Sequence, residues 1–150
     1  MGNDHLVESP ELSRLDVELR DVVDQALEPH GEACAEVAHE WAERVGMWFT
    51  QVRPTRKDAA SVDVAVADDE ALFVQIGATH FEMFGALESS LDDLAQILRA
   101  VFAGEIEEGG SRSDAFARIG AGPRPWHVGA VSLPIPWRLR HRIRRYAAYS

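Results

Sequence analysis

The sequence predicts an α+β fold. It expects an N-terminal helix pair, a largely antiparallel sheet, one further helix near 90–103, and C-terminal strands or a short helix. Three observations carry this. Apolar residues recur at spacings of three and four over about residues 10–45 and again over 90–103, which is the period of a helix. Between and after these stretches, short runs alternate or are rich in β-branched and aromatic residues, as strands are. The connections between those runs are short, so neighbouring strands pair antiparallel. With 150 residues, 46% hydrophobic and 27% charged, the chain reads as a single globular domain over 1–150 with one core. Residues 1–8 read as a frayed, disordered end.

The elements follow in order. Ser9-Pro10-Glu11 has the form of a helix start, with Ser at the N-cap, Pro at the first helical position and an acid in the first turn. Leu12, Leu15, Leu19, Val22, Val23, Ala26 and Leu27 then form one stripe. Pro29 interrupts it. A second stripe, Cys34, Val37, Ala38, Trp41 and Val45, has Glu32, Glu36, Glu40 and Glu43 on its other faces. Gly46 closes it as a C-cap. The expectation is two helices, or one kinked helix, up to residue 45. Met47 to Val52, Ser61 to Val66, Ala71 to Ile76 and Thr79 to Phe84 read as a meander of three or four strands, with Asp68-Asp69-Glu70 as a tight acidic turn.

Ser90 with Asp93 resembles a capping box, Leu91, Leu94, Ala95, Leu98, Val101 and Phe102 form an apolar face, and Gly104 stops the helix. Glu105-Ile106-Glu107-Glu108 reads as a short edge strand. Ala115 to Ile119 and Trp126 to Val131 read as further strands. The last fifteen residues, PWRLRHRIRRYAAYS, fit two patterns. As a strand, Trp137, Leu139, His141 and Ile143 alternate with Arg138, Arg140, Arg142 and Arg144; as a helix, Leu139, Ile143, Tyr146 and Ala147 share a face. The strict alternation favours the strand. Either pattern gives the tail an apolar side, so it reads as a folded element that completes the domain.

Charge is divided unevenly along the chain. Residues 1–111 hold 24 acidic and seven basic side chains, a net −17, while residues 112–150 hold one acid and eight arginines, a net +7. An acidic body repels the phosphate backbone, which disfavours nucleic acid as the main partner. The same body favours a basic protein partner, because complementary charge steers association. The acidic candidates for that contact are Asp68, Asp69, Glu70, Glu105, Glu107 and Glu108. The alternative basic site, for nucleic acid or an anionic surface, is Arg138, Arg140, Arg142, Arg144 and Arg145. No apolar run reaches the roughly 20 residues that span a bilayer, and the polar, acidic N-terminus lacks the pattern of a secretory signal. With Cys34 as the only cysteine, no intrachain disulfide forms. These features point to the cytoplasm.

Motifs for catalysis are incomplete. Glu36-x-x-His39 matches half of a di-iron carboxylate motif, without the second pair that such bundles need. His39-Glu40-x-x-Glu43 lacks the second His of a zinc protease. On a helix these residues make a solvated face, with Glu40 and Arg44 as an i,i+4 ion pair. His80 and Glu82 share a face of one strand, as a hydrogen-bonded structural pair. Cys34 reads as buried and inert. The chain has no Walker loop, GxGxxG or GxSxG motif. No cofactor or metal site is expected, and an enzyme, using His39, His80 and nearby glutamates, ranks behind a binding role.

The stretch Leu98-Arg99-Ala100-Val101-Phe102-Ala103-Gly104-Glu105-Ile106-Glu107-Glu108 resembles a pattern in small bacterial α+β proteins, some of which look like immunity proteins of polymorphic toxin systems. The resemblance spans about residues 61–108. It implies a non-catalytic binding domain that blocks a cognate toxin or nuclease, and it transfers no functional residue. The order of elements also resembles acidic secretion chaperones, which act as dimers; the Arg-rich end and the doubled N-terminal helix depart from them. A homodimer through the Trp48-Phe49 run or an open sheet edge is a further expectation.

Overall fold

The computed structural model describes residues 11–67, 71–84, 87–110, 115–129 and 143–150. It is α+β, with two α-helices and two antiparallel sheets. Helix α1 spans Arg14–Leu27 and starts later than the Ser9-Pro10 signal suggests. Its N-cap is Ser13, whose hydroxyl accepts from the Asp16 N–H while the Asp16 carboxylate accepts from the Ser13 N–H, a reciprocal cap with Asp in the usual Glu place. Pro29 ends the helix as expected, in a short 3₁₀ turn, Glu28–His30, and a second such turn, Glu32–Cys34, leads onward.

The expected second helix is a strand. Strand β1 (Ala35–Ala42) pairs along its whole length with β2 (Met47–Pro54), from Ala35 opposite Pro54 to Ala42 opposite Met47. The residues fit both periods. A helix here would bury only small and mixed side chains, whereas the hairpin gains eight rungs and sets Trp41 against Trp48, the tilted rings 5.6 Å apart. Gly46 does break the element, but as the φ +67° residue of the hairpin turn rather than as a helix cap.

The meander continues through β3 (Val62–Ala67), β4 (Ala71–Ile76) and β5 (Thr79–Phe84), giving a five-stranded sheet in chain order. One face carries Val52, Val62, Val64, Val66, Leu72, Val74 and Ile76. Against it pack Leu19, Val23 and Leu27 of α1 and Leu94, Ile97, Leu98, Val101 and Phe102 of α2 (Leu87–Phe102). This is the core. The helix α2 begins three residues before Ser90, which is buried within it and does not cap it.

The second sheet has the order β8-β7-β6-β9, from β6 (Ile106–Gly109), β7 (Phe116–Ile119), β8 (Trp126–Gly129) and β9 (Arg144–Arg145). So the Glu105–Glu108 stretch contributes an interior strand, flanked on both sides, and not an edge. The end of the chain is woven into the domain. Ala147 bridges Ala59, the Tyr149 N–H donates to the Phe102 carbonyl at 2.8 Å, and the Tyr149 ring, 2% exposed, lies 4.5 Å from that of Phe102. Its hydroxyl donates to the Ala60 carbonyl. Among residues 143–150 the extended reading of the tail is the observed one. Among the described residues, no helix is long and apolar enough to cross a membrane.

Candidate functional site

The helices cover one face of the five-stranded sheet; among the described residues, no helix covers the other. Strand alternation places Met47, Phe49 and Gln51 of β2, Asp63 and Ala65 of β3, Phe73 and Gln75 of β4, and His80, Glu82 and Phe84 of β5 on this second face. Phe49 and Phe73 flank Ala65 in register and bury it completely, although Ala65 stands apart from the helix-packed core. Phe84 is 72% exposed, and Val45, from the β1–β2 turn, is 55% exposed. Met47, Phe49, Phe73, Ala42 and Val45 line a shallow groove of about 450 Å³. A contiguous set of large apolar side chains left uncovered on one sheet face is the mark of an interaction surface.

The margin of this patch is acidic. Glu36 and Glu40 of β1 and Glu82 of β5 are exposed on the same face. Asp63 is already held by Arg53 at 2.9 Å. His80 lies on this outer face and shares it with Glu82, as the strand reading expected.

His39 lies on the opposite face, at the far edge of the sheet, with its Nδ1 3.0 Å from the Thr50 hydroxyl. Partial burial, then the positive charge of Arg20, lowers its pKa, against an opposing pull from Asp24. The Glu36-x-x-His39 pattern therefore loses its helical meaning: three residues apart on a strand, the two side chains point to opposite faces. Arg44 sits in the hairpin turn, so its expected i,i+4 pairing with Glu40 has no helix to stand on. Cys34 is buried and unpaired, as expected of a core thiol.

The acidic candidates separate. Glu108, 5% exposed, is a clasp between parts of the fold: its carboxylate accepts from the Thr79 hydroxyl at 2.7 Å, the Ala78 N–H at 3.0 Å and the Tyr146 hydroxyl at 2.8 Å. Glu107 pairs with Arg118 and, at 3.4 Å, with Arg145. Glu105 accepts from the Ala121 N–H at 3.2 Å. Asp68, Asp69 and Glu70 lie outside the described residues, between Ala67 and Ala71, which pair with each other at the end of the sheet that also holds the β1–β2 turn. Of the basic candidates, Arg138, Arg140 and Arg142 lie outside the described residues. Arg145 meets Glu107, and Arg144 hydrogen-bonds to the Tyr146 hydroxyl.

The sequence did contain a signal for the aromatic face. Met47-Trp48-Phe49 and Ala71-Leu72-Phe73-Val74 are apolar on both faces of their strands, the pattern of strands covered on both sides. Among the described residues, helices cover only one. No protein-family model, no characterised protein and no solved structure matches the chain.

Proposed function

We propose that the protein is a non-catalytic protein-binding module that takes a basic protein partner on the bare face of the five-stranded sheet. A single observation carries this reading: half-buried Met47, Phe49 and Phe73 and exposed Phe84 form an apolar face within an acidic margin, and no helix among the described residues covers it. Aromatic residues and Met are the types that anchor interfaces, and truncating a central one commonly removes a large share of the affinity. The acids at the margin, on a chain of net charge −10, favour a positively charged partner and raise the rate of encounter. A nuclease or a toxin that acts on nucleic acid presents such a surface, so inhibition or immunity is the role that fits.

The test uses Val45→Asp/Phe84→Asp, two substitutions at exposed positions that leave the core untouched. The wild-type protein, purified from its native cells at moderate salt, should retain a basic protein in stoichiometric amount. That complex should re-form from the purified components, and the double variant should lose it. A basic partner held equally by the double variant overturns the reading. So does a preparation that carries only nucleic acid released by salt, or nothing at all.

A further inference from the structure

The five-stranded sheet has two edges with different fates. At one, β5 lies against β8 of the second sheet. At the other, β1 pairs only with β2 among the described residues, and Glu36 to Glu40 are exposed without a break. Its eight residues pair in unbroken register with no bulge and no proline. Natural edge strands of this length are normally shortened, bulged or covered, because their free N–H and C=O groups form a template for another strand.

The direction of those groups follows from the ladder. The Thr55 N–H donates to the Cys34 carbonyl at 2.8 Å, just beyond the last rung. Backbone groups alternate along an antiparallel strand. Residues 36, 38, 40 and 42 therefore turn their N–H and C=O groups toward β2, and Ala35, Val37, His39 and Trp41 turn theirs toward the open edge. The side chains divide the same way. Glu36, Ala38, Glu40 and Ala42 belong to the outer face, and Val37, His39 and Trp41 to the inner one. Val37 is 36% exposed, an apolar side chain at the rim beyond which no strand lies among the described residues.

We infer that β1 accepts an extended segment of the basic partner as a sixth, antiparallel strand, whose side chains alternate between basic and apolar. This rests on the reading of the protein as a binder of a basic partner. Main-chain hydrogen bonds to residues 35–41 supply the docking, as in other strand-addition complexes. Side chains opposite Glu36 and Glu40 fall on the outer face in the close, non-hydrogen-bonded pairs, so Arg or Lys belongs there, four residues apart. Side chains opposite Val37 and Trp41 extend the inner face and are apolar. A second copy of this chain is a poor occupant. Pairing two β1 strands about Ala38 sets Glu36 directly against Glu40, and pairing them about His39 gathers four glutamates on neighbouring diagonals.

The probe is a labelled ten-residue peptide of alternating Arg and Val, titrated against the full chain by fluorescence anisotropy. The expected result is saturable binding that weakens at least about tenfold for an alternating Glu and Val peptide, since two cross-strand charge pairs change sign. Methylating the amides on one edge of the Arg–Val peptide should weaken binding by a similar factor. So should Val37→Pro, which removes an outward N–H without breaking a rung to β2. The methylated peptide decides the matter even if Val37→Pro disturbs the strand.

Absence of binding, equal binding of the methylated or the Glu–Val peptide, or a stable homodimer dispersed by Val37→Pro overturns the inference. A native partner lost by Val45→Asp/Phe84→Asp but kept by Val37→Pro sinks the edge and leaves the aromatic face standing. The reverse pattern keeps the edge and sinks the face.

Discussion

Glu107 and Glu108 are neighbours in sequence, both glutamates, and both read as surface acids; the fold gives them unequal roles. Replacing Glu108 by Ala removes the acceptor of three donors at once. Thr79 is fully buried and loses its partner outright, as does the Ala78 N–H. Tyr146 is only partly buried and can turn toward water. Each hydrogen bond to a charged group contributes about 1.5–3 kcal/mol. The three do not add, because the variant also escapes the desolvation of the carboxylate. The expected loss is about 2–4 kcal/mol, because the Thr79 hydroxyl and the Ala78 N–H each lose a partner, at about 1–3 kcal/mol per buried group left unsatisfied.

At this chain length 1 kcal/mol moves the unfolding midpoint by about 2–4 °C, so the midpoint of Glu108→Ala should fall by roughly 4–16 °C. Glu107→Ala breaks pairs with Arg118 and Arg145, whose side chains are 39% and 81% exposed, and should cost less than about 1 kcal/mol. Calorimetry and urea unfolding of both variants make the comparison. Equal, small losses in the two would refute the clasp and return Glu108 to the surface.

The chain's two tyrosines, Tyr146 and Tyr149, offer a spectroscopic check. Burial, then the hydrogen bond to Glu108, raises the Tyr146 phenol, and burial, then nearby Cys34, raises Tyr149 further. Both folded pKa values lie above the unfolded value of about 10. Their contribution to stability is thus complete below that pH and is lost as the pH climbs through the folded values. Ultraviolet titration should show phenolate forming above the ordinary range and together with unfolding; reversible ionisation near pH 10 in the folded protein would contradict the packing of the chain end. His39 behaves in the opposite sense, its folded pKa being depressed below about 6.5. The stability linked to neutral His39 is present above that value and is lost as the pH falls through the folded one. An NMR titration should place the imidazole below its ordinary range, and His39→Asn should flatten the acid side of the stability profile; a value at or above the ordinary one would refute its placement beside Arg20 of α1.

The sequence by itself determined the α+β class, the meander from Met47 to Phe84, the helix ending before Gly104 and the folding-in of the last residues. Each of these rests on a local signal strong enough to stand alone: alternation of valines, a long amphipathic stripe, a glycine at a positive φ, or aromatic residues that need burial. Tertiary structure decided the rest. Residues 35–42 satisfy helical and strand spacing alike, and only the neighbouring run from Met47 selects the strand. That selection carries His39 away from Glu36 and creates the open edge. Ser9-Pro10 reads as a helix start, yet Ser13 caps the observed helix. The difference between Glu107 and Glu108, and between Trp48 turned toward the core and Phe49 turned away from it, is one residue of strand parity. Parity becomes inside or outside only when the helices choose which face of the sheet to cover, and that choice is made by the assembled core, not by any short stretch of the chain.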